Sequence, residues 1–360
     1  MIQTMIHNTH RRTFLKAGLV LPFAFGRLFA AQNDAHAKLE AAKAEAQKQI
    51  GNGIIMGTVF GTTEGVAACG MQTKNPPRPM RIQSRFDIAS VGKTFTANCC
   101  AMLVADGKID PDAPFTKYLP EHKLGKNCKI TVRNLANHSS GFDNQKEFDS
   151  PDKNAFLRGV YNKMPVREPL AKYEYSCYNF ILLGFVVEHM SGMRLDAFAK
   201  TRIWTPLGMN DTMWDEPGSG EYEVEHFYPN RPAGQHNDTL CKNFGAPLGN
   251  GSAFSTCQDM VKFVDDIAHR RKFSKKYYDL ITTCQFQDGE VKRSFGWDMS
   301  EGKIPATLRG KHAISHSGWT GQTIFANPDT GKSAVVLTSR TGKWAEGIQG
   351  RKRIAALLTA

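Results

Sequence analysis

Apolar and polar positions follow two different rhythms along this chain, and the switches between them lay out the fold. From Lys38 to Ile50 a stretch rich in Ala, Lys, Glu and Gln puts Leu39, Ala42, Ala46 and Ile50 on one face, the spacing of an amphipathic helix. Gly51-Asn52-Gly53 stops it. Two short apolar runs, Ile54 to Phe60 and Val66 to Met71, then flank the turn-forming residues 61–65 and predict a β-hairpin. The far end mirrors this order. His312 to Ser317, Thr323 to Ala326 and Ser333 to Thr338 are strand-like, the last two joined by the turn signal Asn327-Pro328-Asp329-Thr330-Gly331, and Trp344 to Leu358 closes the chain as a helix. The middle carries helical spacing over Val91 to Ala105, Asn179 to Met190, Leu195 to Ile203 and Gln258 to Ala268. Ser191-Gly192 ends the second of these. The last has a capping box from Ser255 to Gln258 and an apolar face of Met260, Phe263, Val264 and Ile267.

The fold class expected from this order is α/β in the α+β sense: an antiparallel sheet built from both chain ends, flanked by helices, with a mainly helical lobe inserted. Residues 38–360 then form a single bilobal domain, with a sheet lobe of about 38–89 and 285–360 and a helical lobe of about 90–284. A cleft where the lobes meet is the natural site.

The first 37 residues read as an address. Polar residues lead to Arg11-Arg12-Thr13-Phe14-Leu15-Lys16 and an apolar run from Ala17 to Gly26, closed by Arg27, which is the order of an export signal. The run falls well short of the roughly 20 apolar residues that cross a bilayer, so no stable membrane anchor is expected. The paired arginines followed by Phe-Leu-Lys resemble the twin-arginine signal of bacteria. That resemblance implies passage through the twin-arginine translocase, a periplasmic or secreted location, and cleavage between Ala30 and Ala37.

Composition narrows the classes without choosing among them. Hydrophobic residues at 41% and charged residues at 22% exclude a disordered chain and a polytopic membrane protein. The net charge of +12 falls to +9 once residues 1–37, with four cations and one aspartate, are removed. No nucleic-acid-binding motif accompanies it and the Lys and Arg are scattered, so a solvated basic surface is expected and no nucleic-acid partner. The eight cysteines contain no CxxC pair, which leaves no zinc-site spacing. Most read as small buried hydrophobes.

Chemistry first surfaces at Phe86-Asp87-Ile88-Ala89-Ser90-Val91-Gly92-Lys93-Thr94. A phosphate loop would need glycine at position 87, which is Asp. The alternative is a serine at the first turn of a helix with a lysine three residues on, one turn away on the same face. Two further phrases accompany it: Tyr175-Ser176-Cys177-Tyr178-Asn179, which opens a helix, and His316-Ser317-Gly318-Trp319-Thr320-Gly321 on the strand near the end.

With these three elements in this order, the chain resembles the serine β-lactamase and penicillin-binding superfamily. The resemblance is to its class C-like group of β-lactamases, D-alanyl-D-alanine carboxypeptidases, D-aminopeptidases and carboxylesterases. Ile130-Thr131-Val132-Arg133-Asn134-Leu135 leading to His138-Ser139-Ser140-Gly141, Pro206 to Thr212, Phe254-Ser255-Thr256 and Leu337 to Arg340 extend the match over nearly the whole chain after residue 37. The resemblance implies that Ser90 is acylated, that Lys93 is its partner, and that Tyr175 is base toward Ser90 and acid toward the leaving group. It implies an oxyanion hole from the backbone N–H groups of Ser90 and Trp319, and it puts His316 where most β-lactamases carry lysine. Cys177, Ser317 and Gly318 fall at substrate-binding positions. Cys177 departs from the family's asparagine, and a thiol is a poor donor and acceptor beside an amide. Asn179 does not replace it, since residues two apart on a helix point about 200° apart.

The expectation is an exported serine hydrolase acting through an acyl-enzyme on small amides or esters, cell-wall D-amino-acid peptides or simple carboxylic esters, with no metal or organic cofactor. The alternatives are a β-lactamase and a catalytically idle peptidoglycan- or penicillin-binding protein. Other residues have blander readings. His312 and His316 lack the carboxylate of a metal pair, His138 reads as a structural hydrogen-bonding residue, and Tyr173, Tyr178 and Trp319 read as cleft wall.

Overall fold

The computed structural model describes residues 21–225, 231–245 and 247–360. The twin-arginine pair and the start of the apolar run lie outside the described residues. In chain order the helices are α1 (Leu21–Gly51), α2 (Gly92–Ala105), α3 (Val132–Ala136), α4 (Lys153–Asn162), α5 (Cys177–Ser191), α6 (Leu195–Ala199), α7 (Thr205–Leu207), α8 (Thr239–Phe244), α9 (Cys257–His269), α10 (Lys275–Thr282) and α11 (Trp344–Leu358). The strands are β1 (Ile55–Thr62), β2 (Gly65–Lys74), β3 (Pro77–Pro79), β4 (Arg85–Asp87), β5 (Phe254–Thr256), β6 (Phe286–Asp288), β7 (Val291–Arg293), β8 (Ile314–Ser317), β9 (Gln322–Asn327) and β10 (Lys332–Arg340).

Six strands form one sheet in the order β3-β2-β1-β10-β9-β8, every neighbouring pair antiparallel. The N-terminal hairpin and the C-terminal strands join where β1 meets β10, with Val59 opposite Leu337 and Phe60 opposite Val336. Side chains alternate between two cores, as a pleated strand requires. Val335 and Leu337 of β10 and Ile324 of β9 face the large core that includes Met260, Phe263, Val264 and Ile267 of α9. Ala334, Val336 and Phe325 face a second, smaller core with Ala42 and Ala46 of α1 and Ile354 and Leu358 of α11. The helices of the inserted stretch pack against the large core.

The periodic elements match the sequence expectations closely, and the differences have local causes. α1 begins at Leu21 rather than near Lys38. The capping box of α9 is displaced: Thr256, not Ser255, is the N-cap and accepts from the Asp259 N–H. Ser255 is committed to β5, paired with Phe86, and its hydroxyl bonds Thr212 Oγ1 at 2.8 Å. The expected helix from Leu195 loosens after Ala199 into a π-helical turn over Lys200–Trp204.

Candidate active site

The turn before α2 holds Ser90. β4 delivers Asp87, whose Oδ1 accepts the Ala89 N–H at 2.8 Å and whose Oδ2 accepts the Asn237 N–H at 2.7 Å. Ala89 then takes φ +45°, a left-handed conformation that costs a non-glycine residue of order 1 kcal/mol or more. This kink ends β4 and starts the turn Ala89–Val91 that leads into α2, leaving Ser90 half-buried at the helix entrance. Lys93, one turn on, is fully buried with Nζ 3.1 Å from Ser90 Oγ and 3.5 Å from Cys177 Sγ, and it also donates to the Asn250 carbonyl.

Burial alone would lower the Lys93 pKa. The adjoining Cys177 and Tyr175 outweigh burial and hold it above the ordinary lysine value. Lys93 therefore stays cationic beside the serine.

The Asn250 carbonyl belongs to the connection between α8 and β5. Gly249 and Gly251 flank it because backbones meet there. A Cβ on Gly251 would stand 2.5 Å from the Ala89 carbonyl oxygen, and one on Gly249 would stand 2.1 Å from that of Phe180. This segment wedges between the Ser90 turn and α5, and Ser252 N donates to Ala89 O at 3.0 Å. Its Gly-Asn-Gly-Ser composition signals a turn and nothing more specific.

Tyr175 stands two residues before α5. Ser176, extended at φ −136°, is the N-cap, and three bonds fix this entrance. Its N–H donates to His138 Nδ1 at 3.2 Å, its Oγ to the Asp143 carbonyl at 2.6 Å, and the Cys177 N–H to Asn144 Oδ1 at 2.8 Å. His138, at φ +61°, lays its ring 4.6 Å from that of Tyr175. Burial first, then the cations Arg293 and Lys93, push its pKa well below the usual histidine value, so a neutral ring backs the phenol. The Lys93 ammonium lies 5.1 Å from the Tyr175 ring centroid. His138 is thus the structural hydrogen-bonding residue expected, with a stacking role that its sequence context did not disclose.

Cys177 projects to Lys93, whereas Asn179 turns away to accept from Ser140 Oγ at 2.6 Å. Tyr178 corrects the expectation of a cleft-wall residue. One step along the helix rotates a side chain by about 100°, and Tyr178 is buried in the core with its hydroxyl donating to Val160 O at 2.6 Å.

The third wall is β8 and the turn after it. A Cβ on Gly318 would lie 2.5 Å from the Ile88 carbonyl oxygen, so only glycine lets this turn close on the Ser90 segment. That approach sets the turn before Trp319 against the segment that leads into Ser90. Arg340 donates to the Trp319 carbonyl at 3.0 Å and stacks 4.1 Å from its ring, and Trp344 lies 5.2 Å from the same ring. His316 is buried, with Nδ1 3.1 Å from the Ser317 carbonyl oxygen and Nε2 unpartnered among the described residues. Burial, then Arg293 and Lys93, hold it neutral. Ser317 Oγ lies 3.2 Å from Thr323 Oγ1. His312 sits apart, with Nδ1 2.6 Å from Asp329 Oδ1, and among the described residues no His, Cys, Asp and Glu cluster suits a metal.

Ser90, Tyr175 and Trp319 stand where two cavities join. One of about 710 Å³ extends past Cys177 toward Asp238 and Lys242. The other, of about 480 Å³, runs between Tyr173, Arg293 and His316 toward Trp344. All the residues expected from sequence, Ser90, Lys93, Tyr175, Cys177, His316, Ser317, Gly318 and Trp319, thus converge on one place. Asp87, His138, Asn250 and the two glycines beside Asn250 are the additions.

The family profile described as Beta-lactamase matches residues 34–359. A "Putative D-alanyl-D-alanine carboxypeptidase" of Escherichia coli (strain K12) is 24% identical over 301 residues, covering 71% of this chain and 69% of its own. The protein so described in Salmonella typhimurium is 26% identical over 302 residues, with the same coverage. Among solved structures, a class C beta-lactamase superposes with a TM-score of 0.76 at 17% identity, covering 90% of this chain and 98% of that one. EstCE1, described as a hydrolase with promiscuous acyltransferase activity, gives 0.72 at 18% identity, covering 92% and 100%. Among the described residues no helix is long and apolar enough to cross a membrane.

Proposed function

Because the chain belongs to the β-lactamase family of serine hydrolases, we propose that Ser90 is its nucleophile and that its substrates are small amides or esters, D-amino-acid peptides or carboxylic esters ahead of β-lactams. The observation that carries this reading is the contact of the buried Lys93 ammonium with Ser90 Oγ at 3.1 Å, with Tyr175 beside both at the junction of two cavities. A phenol with an ordinary pKa near 10 accepts a proton at neutral pH only where cations stabilise its phenolate. Lys93 supplies that charge. Tyr175 takes the Ser90 proton as Oγ bonds to the substrate carbonyl carbon, and the N–H groups of Ser90 and Trp319 receive the oxyanion. Collapse of the tetrahedral intermediate breaks the bond to the leaving group, which takes the proton back from Tyr175. Water then repeats the sequence on the acyl-enzyme and frees Ser90.

Two residues favour peptides and esters over β-lactams. Neutral His316 lacks the permanent charge of a lysine, and Cys177 offers no amide. The twin-arginine signature adds export to the proposal, with residues 1–37 as the signal and 38–360 as one bilobal domain.

A second reading, a binding protein that stops at the bound or acylated state, is favoured by the Cys177 thiol at 3.5 Å from Lys93. One experiment separates them: fluorophosphonate labelling of the purified protein, then turnover of 4-nitrophenyl esters, D-alanyl peptides and a chromogenic cephalosporin. Labelling abolished by Ser90→Ala, with turnover of esters or peptides, is expected. Labelling that persists in Ser90→Ala defeats the nucleophile assignment, and stoichiometric labelling without turnover selects the binding protein.

A further inference from the structure

Of the large hydrophobic side chains exposed among the described residues, Trp319 is the one that lines both cavities at Ser90, and it is 45% exposed. The fold fixes this ring without covering it. Arg340, buried at the end of β10, places its guanidinium 4.1 Å from the Trp319 ring and 4.5 Å from the Trp344 ring, and the two rings stand 5.2 Å apart at an interplanar angle of 36°. The three groups form a triangle. Because Arg340 also donates to the Trp319 carbonyl at 3.0 Å, one side chain holds both the backbone and the ring. Arg351, itself buried, lies 5.8 Å from the Trp344 ring and donates through Nε to Thr323 Oγ1 at 2.9 Å.

Trp344 and Ile348 stand one turn apart on α11 and share the smaller cavity with Trp319, Tyr173 and Val291. Tyr173 is fixed as well: its N–H donates to Asp288 Oδ2 at 2.9 Å, and the Arg293 guanidinium lies 5.7 Å from its ring. Two cations of the same wall turn to protein partners, Arg293 to Asp298 at 3.2 Å and Lys352 Nζ to the Gly302 carbonyl at 2.8 Å. Three aromatic rings thus border this cavity already ordered, so a ligand laid against them does not bear the entropy of arranging them. Aromatic rings attract one another, offset or edge-on, beyond the area they bury. We propose that the part of the substrate lodged in this cavity is a planar aromatic group seated on Trp319 and Trp344, so that the enzyme selects an aryl-bearing ester or amide over its saturated isostere. The Trp319 side chain then determines specificity, in addition to the backbone role given to this residue above. The proposal rests on the serine-hydrolase reading.

The test uses two matched ester pairs followed by proton release. Methyl phenylacetate against methyl cyclohexylacetate puts the ring on the acyl group, and benzyl acetate against cyclohexylmethyl acetate puts it on the leaving group. A cavity that is merely apolar does not prefer the aromatic member of either pair. After division by the alkaline hydrolysis rates of the same esters, kcat/KM in one pair should favour the aromatic member by about fivefold, the size of one aromatic contact. Trp319→Leu should bring that ratio toward one and Trp319→Phe should keep most of it. Trp344→Leu should lower it while leaving turnover of ethyl acetate within about twofold, and urea midpoints confirm that the variants fold. If Ser90 is labelled without turnover, the same ratio is read from how strongly each ester slows fluorophosphonate labelling. Ratios near one in both pairs, or a preference that survives both leucine variants, overturn the proposal while leaving the hydrolase reading intact. A wild-type protein that is neither labelled at Ser90 nor active on any ester fails the hydrolase reading itself, and the proposal falls with it.

Discussion

The two helices that cover one face of the sheet and the two helices inside the large core are built on opposite principles. α1 and α11 cover one face, α1 with alanines and α11 with larger aliphatic residues. Ala42, Ala46, Ile354 and Leu358 meet Phe60, Phe325 and Val336 of the sheet, and the approach is so close that a Cβ on Gly350 would stand 2.1 Å from Gln49 Oε1. Their other faces are wet. α2 is instead buried from Gly92 to Val104, and α5 from Cys177 to Val187. Lys93, Thr96, Asn98 and Asn179 are sealed inside this inner pair. A buried polar group must be satisfied or it costs stability. Thr96 Oγ1 donates to Gly249 O at 2.8 Å and Lys93 to Asn250 O, so the bonds that satisfy these two residues also hold the loop beside the serine, whereas the Asn98 amide has no hydrogen-bond partner among the described residues. The outer layer is held by packing, whereas the inner pair combines packing with polar bonds and carries the proposed catalytic lysine.

The most severe way to break this contrast is to remove the inner polar groups. Ser90→Ala should reduce turnover by about a thousandfold or more, as for the loss of other catalytic nucleophiles, with unfolding in urea unchanged. Lys93→Met should lose comparable activity, and it should also lose stability, because the Asn250 carbonyl is left without its donor. A Lys93→Met protein that keeps near-native turnover would remove the link between inner polar bonding and function.

Packing gives a graded comparison with the chemistry of the change held constant. Leu183→Ala in α5, in the middle of the large core, should destabilise by about 4–5 kcal/mol. Leu358→Ala, at the last residue of α11, should cost about 2–3 kcal/mol, since the chain end can collapse into the space. Urea midpoints at unchanged m-value measure both. Equal losses would show that the two layers do not differ in how far they can relax.

Asp87 tests whether inner burial also makes the fold pH-sensitive. Burial pushes its pKa up to about 7, against the two N–H donors that favour the carboxylate. Its charge is also faced by Asp238, which raises the pKa, and Arg231, which lowers it. The folded state therefore binds this proton more tightly than the unfolded chain does. The resulting stability is fully present below the ordinary aspartate pKa near 4 and is lost as pH rises toward 7, with a slope of at most about 1.4 kcal/mol per pH unit. Asp87→Asn should flatten the change in urea midpoint between pH 5 and pH 7. It should also weaken the Ser90 turn, because the amide accepts only one of the two N–H groups well.

How much of this was legible follows from the same contrast. α11 was predicted to the residue because a helix with one wet face declares its core face every three or four positions. The hairpins were marked by Gly- and Pro-containing turns. In the site, Ser90 and Lys93 were legible because one helical turn fixes their relation. Asn250 was not: it reaches Lys93 from 157 positions away and offers only a backbone carbonyl, which any residue type supplies. His138 was readable as a hydrogen-bonding residue, but its stacking on Tyr175 depends on a left-handed φ that the local sequence does not announce. Tyr178 was misplaced because an all-buried helix gives no polar face from which to count directions. The cap of α9 slipped by one residue because Ser255 and Thr256 are equally good caps until the Ser255 hydroxyl is taken by Thr212.

The smallest expected effect belongs to the outer layer and tests the contrast from the other side. Arg353 Nε of α11 lies 2.7 Å from Glu45 Oε1 of α1, with the arginine side chain about half exposed. An ion pair open to solvent on one side loses most of its Coulomb energy to water and salt and contributes roughly 0–1 kcal/mol. A double-mutant cycle with Glu45→Gln and Arg353→Gln should therefore give a coupling of about 0.5 kcal/mol or less, decreasing further in salt. If the two helices were instead clamped by charge, the coupling would approach the 2 kcal/mol or more expected of a desolvated pair. The small-residue contact at Gly350 would then be a consequence of that clamp rather than the packing that holds α1 to α11.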